Sequence, residues 1–187
     1  MLSPPDVAAS ARRLRFEELY NAHHVSLLAY ALRRTANTDD AADVLAETFL
    51  TAWRRLDELP GGDQARLWLY GAARRTLANH HRGQRRRLAL ADRLKADLAV
   101  SYRPADPGGE LAEIAAAFQR LPESDRELLA LASWEGLDAG QIAAVLGCSR
   151  NAARIRLHRA RRRLGAEIGQ PVPGPAHRAS ATNGDFA

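Results

Sequence analysis

The sequence is poor in cysteine and in long apolar stretches, and each shortage narrows what the chain can be. Cys148 stands alone, which excludes an internal disulfide and a cysteine-based zinc site. The longest apolar run, residues 27–32, is far too short to span a bilayer. The start of the chain lacks the basic residues and apolar stretch of a signal peptide. We therefore expect a cytoplasmic protein.

Lysine is also scarce, and positive charge is carried almost entirely by arginine. Lysine and arginine together number 27 against 22 acidic residues, the pI is about 10.1, and Lys95 is the only lysine. This balance favours an anionic partner, and arginine suits bidentate contacts with phosphate and guanine. A GC-rich genome that biases codons toward arginine explains the composition equally well.

Alternating β-branched residues are almost absent, whereas alanine, leucine, arginine and glutamate dominate. This composition predicts an all-α fold. Apolar residues at helical spacing predict a first helix over residues 15–35 and a third over residues 65–81. The helix between them is predicted to be capped by Thr38 or Asp39, with an acidic first turn that suits the helix dipole.

Proline and glycine divide the chain into two small helical domains joined by a flexible linker. A short helix is predicted at residues 90–100, and the Pro- and Gly-rich residues 103–109 mark the linker. Pro122 suits the start of a later helix and Gly136 its end. The predicted segments are a first domain over residues 1–88, a linker over 89–112, a second domain over 113–168 and a disordered tail over 169–187.

The sharpest local pattern is LDAGQIAAVLGCS at residues 137–149. Asp138 and Gln141 have the spacing of a capping box, Gly147 supplies a turn, and Ser149 can cap the next helix. Two short helices joined by such a turn form a helix-turn-helix. The alternative interpretation is an antiparallel helix pair with an arginine-rich solvent face.

The helix after this turn is rich in arginine and has no acidic residue, because none occurs between Asp138 and Glu167. A solvated surface helix normally mixes both signs of charge, so the pattern favours DNA binding. We expect Ile155, Leu157 and Leu164 to pack inward. The candidate DNA contacts are Ser149, Arg150, Asn151, Arg154, Arg156, Arg159 and Arg161, with Arg162 and Arg163 as further candidates for phosphates or a protein.

Three motifs in a fixed order carry a family resemblance. DDAADVLAETFLTAWR at residues 39–54 precedes RLWLYGAAR at 66–74, and RLHRAR at 156–161 ends the helix-turn-helix. Over roughly residues 16–164 the chain resembles extracytoplasmic-function (ECF) RNA polymerase sigma factors. The resemblance implies a non-enzymatic protein, without cofactor or metal, that binds core RNA polymerase, directs it to specific promoters and assists promoter melting. Members of the family are often restrained by an anti-sigma factor.

The resemblance also implies a division of labour. The helix at residues 39–55 would dock on the clamp coiled coil of the polymerase largest subunit, and the helix-turn-helix would read the −35 element. The loop and helix from residue 60 would read the single-stranded −10 element. The implied polymerase contacts are Asp39, Asp40, Asp43, Glu47 and Trp53. The implied −10 contacts are Asp63, Arg66, Arg74, Arg75, Asn79, His80, Arg82, Arg85 and Arg86.

Some residues of the first domain allow two interpretations. Trp68 and Tyr70 are suited to stacking on bases, although the apolar stripe around them favours buried packing. The pair His80 and His81 has no companion ligands, so we predict no metal site there. Arg75 stands where family members often have asparagine, and the recognition helix also differs from the family pattern. The DNA sequence preference is therefore not implied by the resemblance.

Two other classes of function fit parts of the pattern. An autonomous DNA-binding regulator, whose first half senses a ligand or dimerises, would bind duplex DNA tightly without polymerase. An adaptor protein that binds RNA or acidic partners would bind without regard to promoter sequence. A sigma factor, by contrast, depends on core polymerase for tight promoter binding.

Overall fold

The computed structural model describes residues 4–94 and 109–168, and within them the chain is helical without any strand. The all-α prediction is therefore confirmed. The α-helices are α1 (Pro4–Leu32), α2 (Thr38–Arg54), α3 (Asp63–Leu94), α4 (Gly109–Arg120), α5 (Glu123–Ser133), α6 (Ala139–Leu146) and α7 (Arg150–Glu167), with one 3-10 turn at Leu56–Glu58. The predicted tail and residues 95–108 of the predicted linker lie outside the described residues.

The ends of α1 and α3 differ from the sequence prediction. Helix α1 begins at Pro4 instead of residue 15, because proline suits a first helical position and the following segment is rich in alanine. It ends at Leu32, where the Arg34 N–H bonds to the Ala31 carbonyl three residues back. Helix α3 continues past residue 81 to Leu94, since the added segment consists mostly of strong helix formers.

The cap of α2 is also different from the one predicted. Asn37, and neither Thr38 nor Asp39, is the N-cap residue. Its backbone is extended, which leaves its side-chain oxygen free to accept the Asp40 N–H at 2.7 Å. The acidic first turn is present as predicted, with Asp39 and Asp40 placed where the helix dipole favours negative charge.

Helices α1 to α3 form a first helical group around a shared apolar core. Tyr30 of α1, Val44 of α2 and Leu69 of α3 are fully buried there. Thr48 is buried among them, and its hydroxyl donates to the Val44 carbonyl at 2.6 Å. This buried hydroxyl therefore has a hydrogen-bond partner. Packing of α2 against both neighbours fixes which of its faces points outward.

Helices α4 to α7 form a second helical group. Leu131 of α5, Ile142 of α6 and Ala153 of α7 are almost completely buried in its core. As predicted, Gly136 ends the α5 segment, and its positive φ of 66° explains why glycine is favoured at that turn. Pro122 is the N-cap of α5, one residue before the first helical residue.

The two helical groups pack on each other, which no sequence pattern indicated. Helix α6 lies on α3, and buried residues of both groups belong to one continuous apolar cluster. A cleft of about 640 Å³ remains between α1, α3 and α5, bordered by Tyr30, Arg74 and Trp134. One surface of α3 thus faces α2, and another faces the second helical group.

Candidate nucleic-acid and protein interfaces

Helix α6 begins with the capping box that the sequence predicted. The Asp138 carboxylate accepts the N–H groups of Gly140 at 2.6 Å and Gln141 at 2.9 Å. The Gln141 side chain in turn accepts the Asp138 N–H at 2.9 Å. These backbone hydrogen bonds favour the charged carboxylate and hold the pKa of Asp138 below its usual value. These hydrogen bonds therefore fix Asp138 as the N-cap residue of the first helix of the helix-turn-helix.

The turn between α6 and α7 also has the predicted geometry. Gly147 adopts a left-handed conformation with φ 66° and ψ 40°, which only glycine adopts without cost. Ser149 then caps α7, its hydroxyl oxygen accepting the Ala152 N–H at 3.2 Å. The predicted helix-turn-helix is confirmed, because both caps and the turn are present between two packed helices.

Helix α7 presents an arginine surface to solvent. Ala153, Leu157 and Ala160 are buried on its inner side, so the residues between them face outward. The exposed polar residues are His158 and the group Arg150, Asn151, Arg154, Arg156, Arg159, Arg161, Arg162 and Arg163. Arg154 donates to the Asn151 side chain at 3.1 Å, which joins two candidate base-reading groups at the start of the helix.

One expectation for α7 is wrong. Ile155 is 40% exposed and does not pack inward, because the buried stripe through Leu157 leaves it on the outer side. Leu157 and Leu164 do pack inward as predicted. Arg163 forms an ion pair at 2.5 Å with Asp125 of α5 that holds α7 on α5, while its side chain remains 58% exposed.

Helix α2 carries an exposed acidic face, which we define as Asp39, Asp43 and Glu47. Asp43 and Glu47 border a groove of about 430 Å³ between α2 and α3. Within residues 4–94 and 109–168 neither makes a hydrogen bond or ion pair. Asp40 is different, because it accepts a hydrogen bond from Gln84 of α3 at 2.7 Å. Asp40 thus ties α2 to α3.

Trp53 lies at the end of the acidic face and is 36% exposed. Its ring contacts Phe16 of α1 edge to face at 5.1 Å, and the guanidinium of Arg12 lies 5.1 Å from its centroid. Part of the indole therefore stabilises the α1–α2 packing, and the remainder is open to a partner. Phe49 is buried and Leu45 half-buried, as expected for core residues of this helix.

The predicted −10 contacts on α3 divide between two faces of the helix. Asn79 and His80 border the groove beside α2, and His80 Nε2 lies 3.2 Å from the Asp40 carboxylate. Arg66 and Arg74 instead face the second helical group. Arg66 donates to the backbone carbonyl of Glu135 at 2.7 Å. We define the inner face of α3 as Arg66, Tyr70, Gly71 and Arg74.

The remaining predicted −10 residues are more scattered. Asp63, Arg75, Asn79 and Arg82 are exposed, and Arg82 donates to Asn79. The side chains of Arg85 and Arg86 lie outside the described residues. Within the described ranges no group of three metal-ligating side chains occurs, at the His80–His81 pair or elsewhere.

The two aromatic candidates for base stacking are packed into the protein. Tyr70 is 1% exposed and contacts the Tyr30 ring at 5.2 Å, while Trp68 is half-buried against the core. This outcome agrees with buried packing, the interpretation that the apolar stripe favoured. In this arrangement the Tyr70 ring is not accessible to a base.

No pattern in the sequence indicated the polar cluster between the two helical groups. The Glu135 side chain is 3% exposed and accepts from Arg33 at 2.7 Å and from Tyr70 at 3.3 Å. Glu127 accepts from Tyr30 and Arg34, each at 2.8 Å. Burial, followed by the nearby Glu127 carboxylate, raises the pKa of Tyr30, so its hydroxyl keeps its proton.

Comparison with known proteins agrees with this architecture. Residues 19–87 match sigma-70 region 2, and residues 111–164 match sigma-70 region 4. The chain is 32% identical over 141 residues to the ECF RNA polymerase sigma factor EcfG of Rhodopseudomonas palustris, covering 75% of this chain and 78% of that protein. It is 31% identical over 162 residues to SigL of Mycobacterium tuberculosis, covering 84% and 90%.

The fold is similar to that of the sigma factor RpoE solved in complex with the anti-sigma factor NepR from Bartonella quintana. The TM-score is 0.63 at 25% identity, over 82% of this chain and 96% of that one. Regions 2 and 4 in this order define the sigma-70 class. Within that class, the chain belongs to the ECF RNA polymerase sigma factors, and it acts in promoter-specific transcription initiation. In the described ranges no helix is long and apolar enough to cross a membrane.

Proposed function

We propose that the chain positions core RNA polymerase on promoters by binding alone, through three separate surfaces, and performs no covalent chemistry of its own. Sigma factors are non-enzymatic initiation factors, which supports this proposal. The observation that supports the proposal most strongly is at the start of α7. There Arg150, Asn151 and Arg154 are exposed on the capped second helix of the helix-turn-helix. Since polymerase and chromosome share the cytoplasm, we propose that the protein acts there.

The first surface is the start of α7, which we propose reads the −35 element. Early residues of the second helix of a helix-turn-helix meet base edges in the major groove. Arginine pairs with guanine and asparagine with adenine in bidentate geometry, and both types occur here in adjacent turns. Ser149, Arg156, Arg159 and Arg161 flank these residues, and we assign them to phosphates of the same site.

The second surface is α3 with the loop before it, which we propose holds the unpaired −10 strand. Asp63 is exposed at the start of the helix, and Arg75 and Arg82 are exposed along it. Arginine neutralises phosphates and stacks on unpaired bases, which supports single-strand binding. Greater affinity for melted than for paired DNA would shift the promoter toward the open state.

The third surface is the acidic face of α2, which we propose docks on core polymerase. Asp43 and Glu47 are exposed carboxylates that form no ion pair within the described residues. They lie on the same helix as the partly exposed Trp53 indole. Tryptophan is enriched at the centre of protein interfaces, and the rim around such a centre is polar. We also propose that an anti-sigma factor restrains the chain, because the similar RpoE is described in complex with one.

Transcription from genomic fragments tests the whole proposal. Purified protein is added to core polymerase, and the transcript start sites are mapped on a pool of fragments from the source genome. We expect starts at a restricted set of sites that share two spaced sequence elements. Tight duplex binding without polymerase would instead identify an autonomous regulator, and binding without sequence preference would identify an adaptor.

Glu47→Lys tests the docking surface separately. Reversal of this exposed charge should weaken binding to core polymerase by about tenfold, because a desolvated contact with an unlike charge becomes repulsive. Glu113→Lys on α4 is the matched control, since it makes the same change at an exposed residue of the second group. Binding is measured by fluorescence anisotropy of labelled protein. Equal losses for both variants would contradict docking through α2.

A further inference from the structure

The two helical groups are joined by one buried and one half-buried carboxylate, Glu135 and Glu127, whose partners lie across the interface. Glu135 accepts from Arg33 at 2.7 Å, from Arg34 at 3.4 Å and from Tyr70 at 3.3 Å. All three donors belong to the first helical group. Within the described residues, the Glu135 carboxylate therefore contributes to the joining of the groups and makes no bond within its own.

Glu127 forms the other half of this contact. It accepts from the Tyr30 hydroxyl and from Arg34 Nε, each at 2.8 Å. The Arg34 guanidinium also lies 3.6 Å from the centroid of the Tyr30 ring. Arg34 thus links both carboxylates, with a side chain that is only 12% exposed.

Ionic contacts of this kind favour a reversible association. Burial of charges carries a large desolvation cost, which attraction between the partners offsets only in part. When the groups separate, every member of the cluster regains water, so the net preference for contact is modest. The apolar contact between α6 and α3 has no such compensation, so it favours the closed arrangement more strongly than the ionic cluster does. The cluster therefore fits a contact that opens and closes.

The contact covers Tyr70 and Gly71 of the inner face of α3 and part of Arg66, whereas Arg74 stays exposed beside the cleft. Arg66 is held by the carbonyl of Glu135, and Tyr70 is buried beneath the same residue. Gly71 faces α6 closely enough that an added Cβ would lie 3.6 Å from the Val145 carbonyl. Meanwhile the start of α7 and the acidic face of α2 stay exposed.

We infer that Glu127 and Glu135 form an intramolecular latch that holds the second helical group on α3 and withholds most of the inner face of α3 from DNA. The free chain then presents the polymerase-docking and upstream-element surfaces while its −10 surface is partly closed. The apparent affinity of that surface is reduced in proportion to the open fraction. The proposal that the latch masks a DNA surface rests on the proposed role of α3 in −10 binding. The proposal that the latch holds the two helical groups together does not depend on that role.

Distance measurement between spin labels on the full chain tests the latch. With Cys148 replaced by serine, cysteines at Ala42 and Ala166 carry the labels, because both positions are exposed and lie in different groups. We expect one narrow distance distribution for this reference protein. Glu135→Gln should add longer distances and lower the ratio of closed to open molecules by about tenfold, since the arginines lose their counter-charge. Glu113→Gln, an exposed control, should leave the distribution unchanged.

A second pair of variants opens the contact without touching a charge. Gly71→Ala should keep the closed distance, because its Cβ meets Val145 at an ordinary contact distance. Gly71→Leu places further atoms against that carbonyl and should open the groups, while leucine remains a good helix former. Far-ultraviolet circular dichroism checks that the helices persist. If Glu135→Gln fails to fold, the comparison of Gly71→Ala with Gly71→Leu still tests whether the two helical groups separate.

The latch is overturned if the reference protein already gives a broad distribution, or if Glu135→Gln and Gly71→Leu both leave it unchanged. Its masking role is tested by the affinity of each variant for single-stranded fragments of the mapped −10 elements. Open variants should bind them about tenfold more tightly. Opening without a gain in affinity would refute masking by α3 and leave the latch in place. Failure of the transcription assay would refute the proposed function without changing the distances.

Discussion

Helices α3 and α7 are both rich in arginine, yet their arginines have different surroundings. On α7 the arginines at the start of the helix face solvent; Arg154 forms no ion pair within the described residues, and Arg150 lies near the Asp138 carboxylate. On the inner face of α3, Arg66 donates to a backbone carbonyl, and Arg33 and Arg34, which follow α1, pair with the buried Glu135 and the half-buried Glu127. A count of basic residues therefore does not locate a nucleic-acid surface. A nucleic-acid surface is distinguished by basic side chains that are not paired with carboxylates or carbonyls of the protein itself.

The largest expected effect contrasts Arg34 with Arg154. Arg34→Met keeps the apolar bulk of the side chain but removes the charge shared by Glu127 and Glu135. Loss of one partner costs up to about 3–5 kcal/mol while the glutamates stay buried, and separation of the groups, which returns them to water, limits that cost. We expect a drop of this size in urea unfolding, or a transition that splits in two as the groups separate. Arg154→Met on the exposed helix should stay within about 0.5 kcal/mol of the parent. Equal effects would remove the distinction between the two helices.

DNA binding should show the reverse order. Arg154→Ala is expected to weaken binding to the upstream element by about 1–3 kcal/mol, because a bidentate base contact is lost. The measurement is a titration of the polymerase complex with mapped promoter DNA and with a scrambled version. If both sequences lose affinity equally, Arg154 contacts phosphate and not a base.

A smaller effect on stability is expected from the N-cap of α7, which supports the helix and is distinct from its exposed arginines. Ser149→Ala removes the side-chain acceptor of the Ala152 N–H and should lower the free energy of unfolding by about 1 kcal/mol. Ser149→Asn retains an acceptor and should stay close to the parent protein. Thermal unfolding followed by circular dichroism measures both. A loss in the asparagine variant as large as in the alanine variant would argue against capping.

The smallest effect concerns the pH dependence of the α6 cap. Because the pKa of Asp138 is lowered in the folded protein, its carboxylate stabilises the fold above its unfolded pKa, and this contribution is lost as the pH falls through the folded value. Asp138→Asn caps without titrating, so its stability should depend less on pH between about pH 5 and pH 2. Parallel pH profiles for the two proteins would contradict this assignment.

The predictions that succeeded depend on short stretches of chain. The capping box of Asp138 and Gln141, the turn at Gly147 and the cap at Ser149 each involve residues within a few positions of one another. Such local hydrogen bonds are determined by residue type and spacing. For the same reason the helix-turn-helix and its outward arginines could be predicted from sequence. The unpredicted Asn37 cap is equally local, and a preference for Asn at N-cap positions would have indicated it.

The features that were missed depend on contacts between distant segments. Glu135 and Arg33, or Glu127 and Tyr30, are about a hundred positions apart, and no periodicity relates them. Ile155 was assigned inward because it is apolar, but the exact direction of the buried stripe on α7 is set by packing on α5 and α6. Sequence patterns therefore located the elements and the exposed recognition helix, whereas tertiary packing decided which arginines remain free.

The length of α3 sets a limit on promoter geometry. Its 32 residues form a rod of about 48 Å, so the connection to the second helical group starts far from the loop that precedes the helix. Even fully extended, residues 95–108 span about 50 Å at most. A helix of fixed length followed by a limited number of residues gives one chain a maximum reach. Beyond a certain spacing, two well-matched DNA elements can no longer be engaged together, whatever their individual affinities.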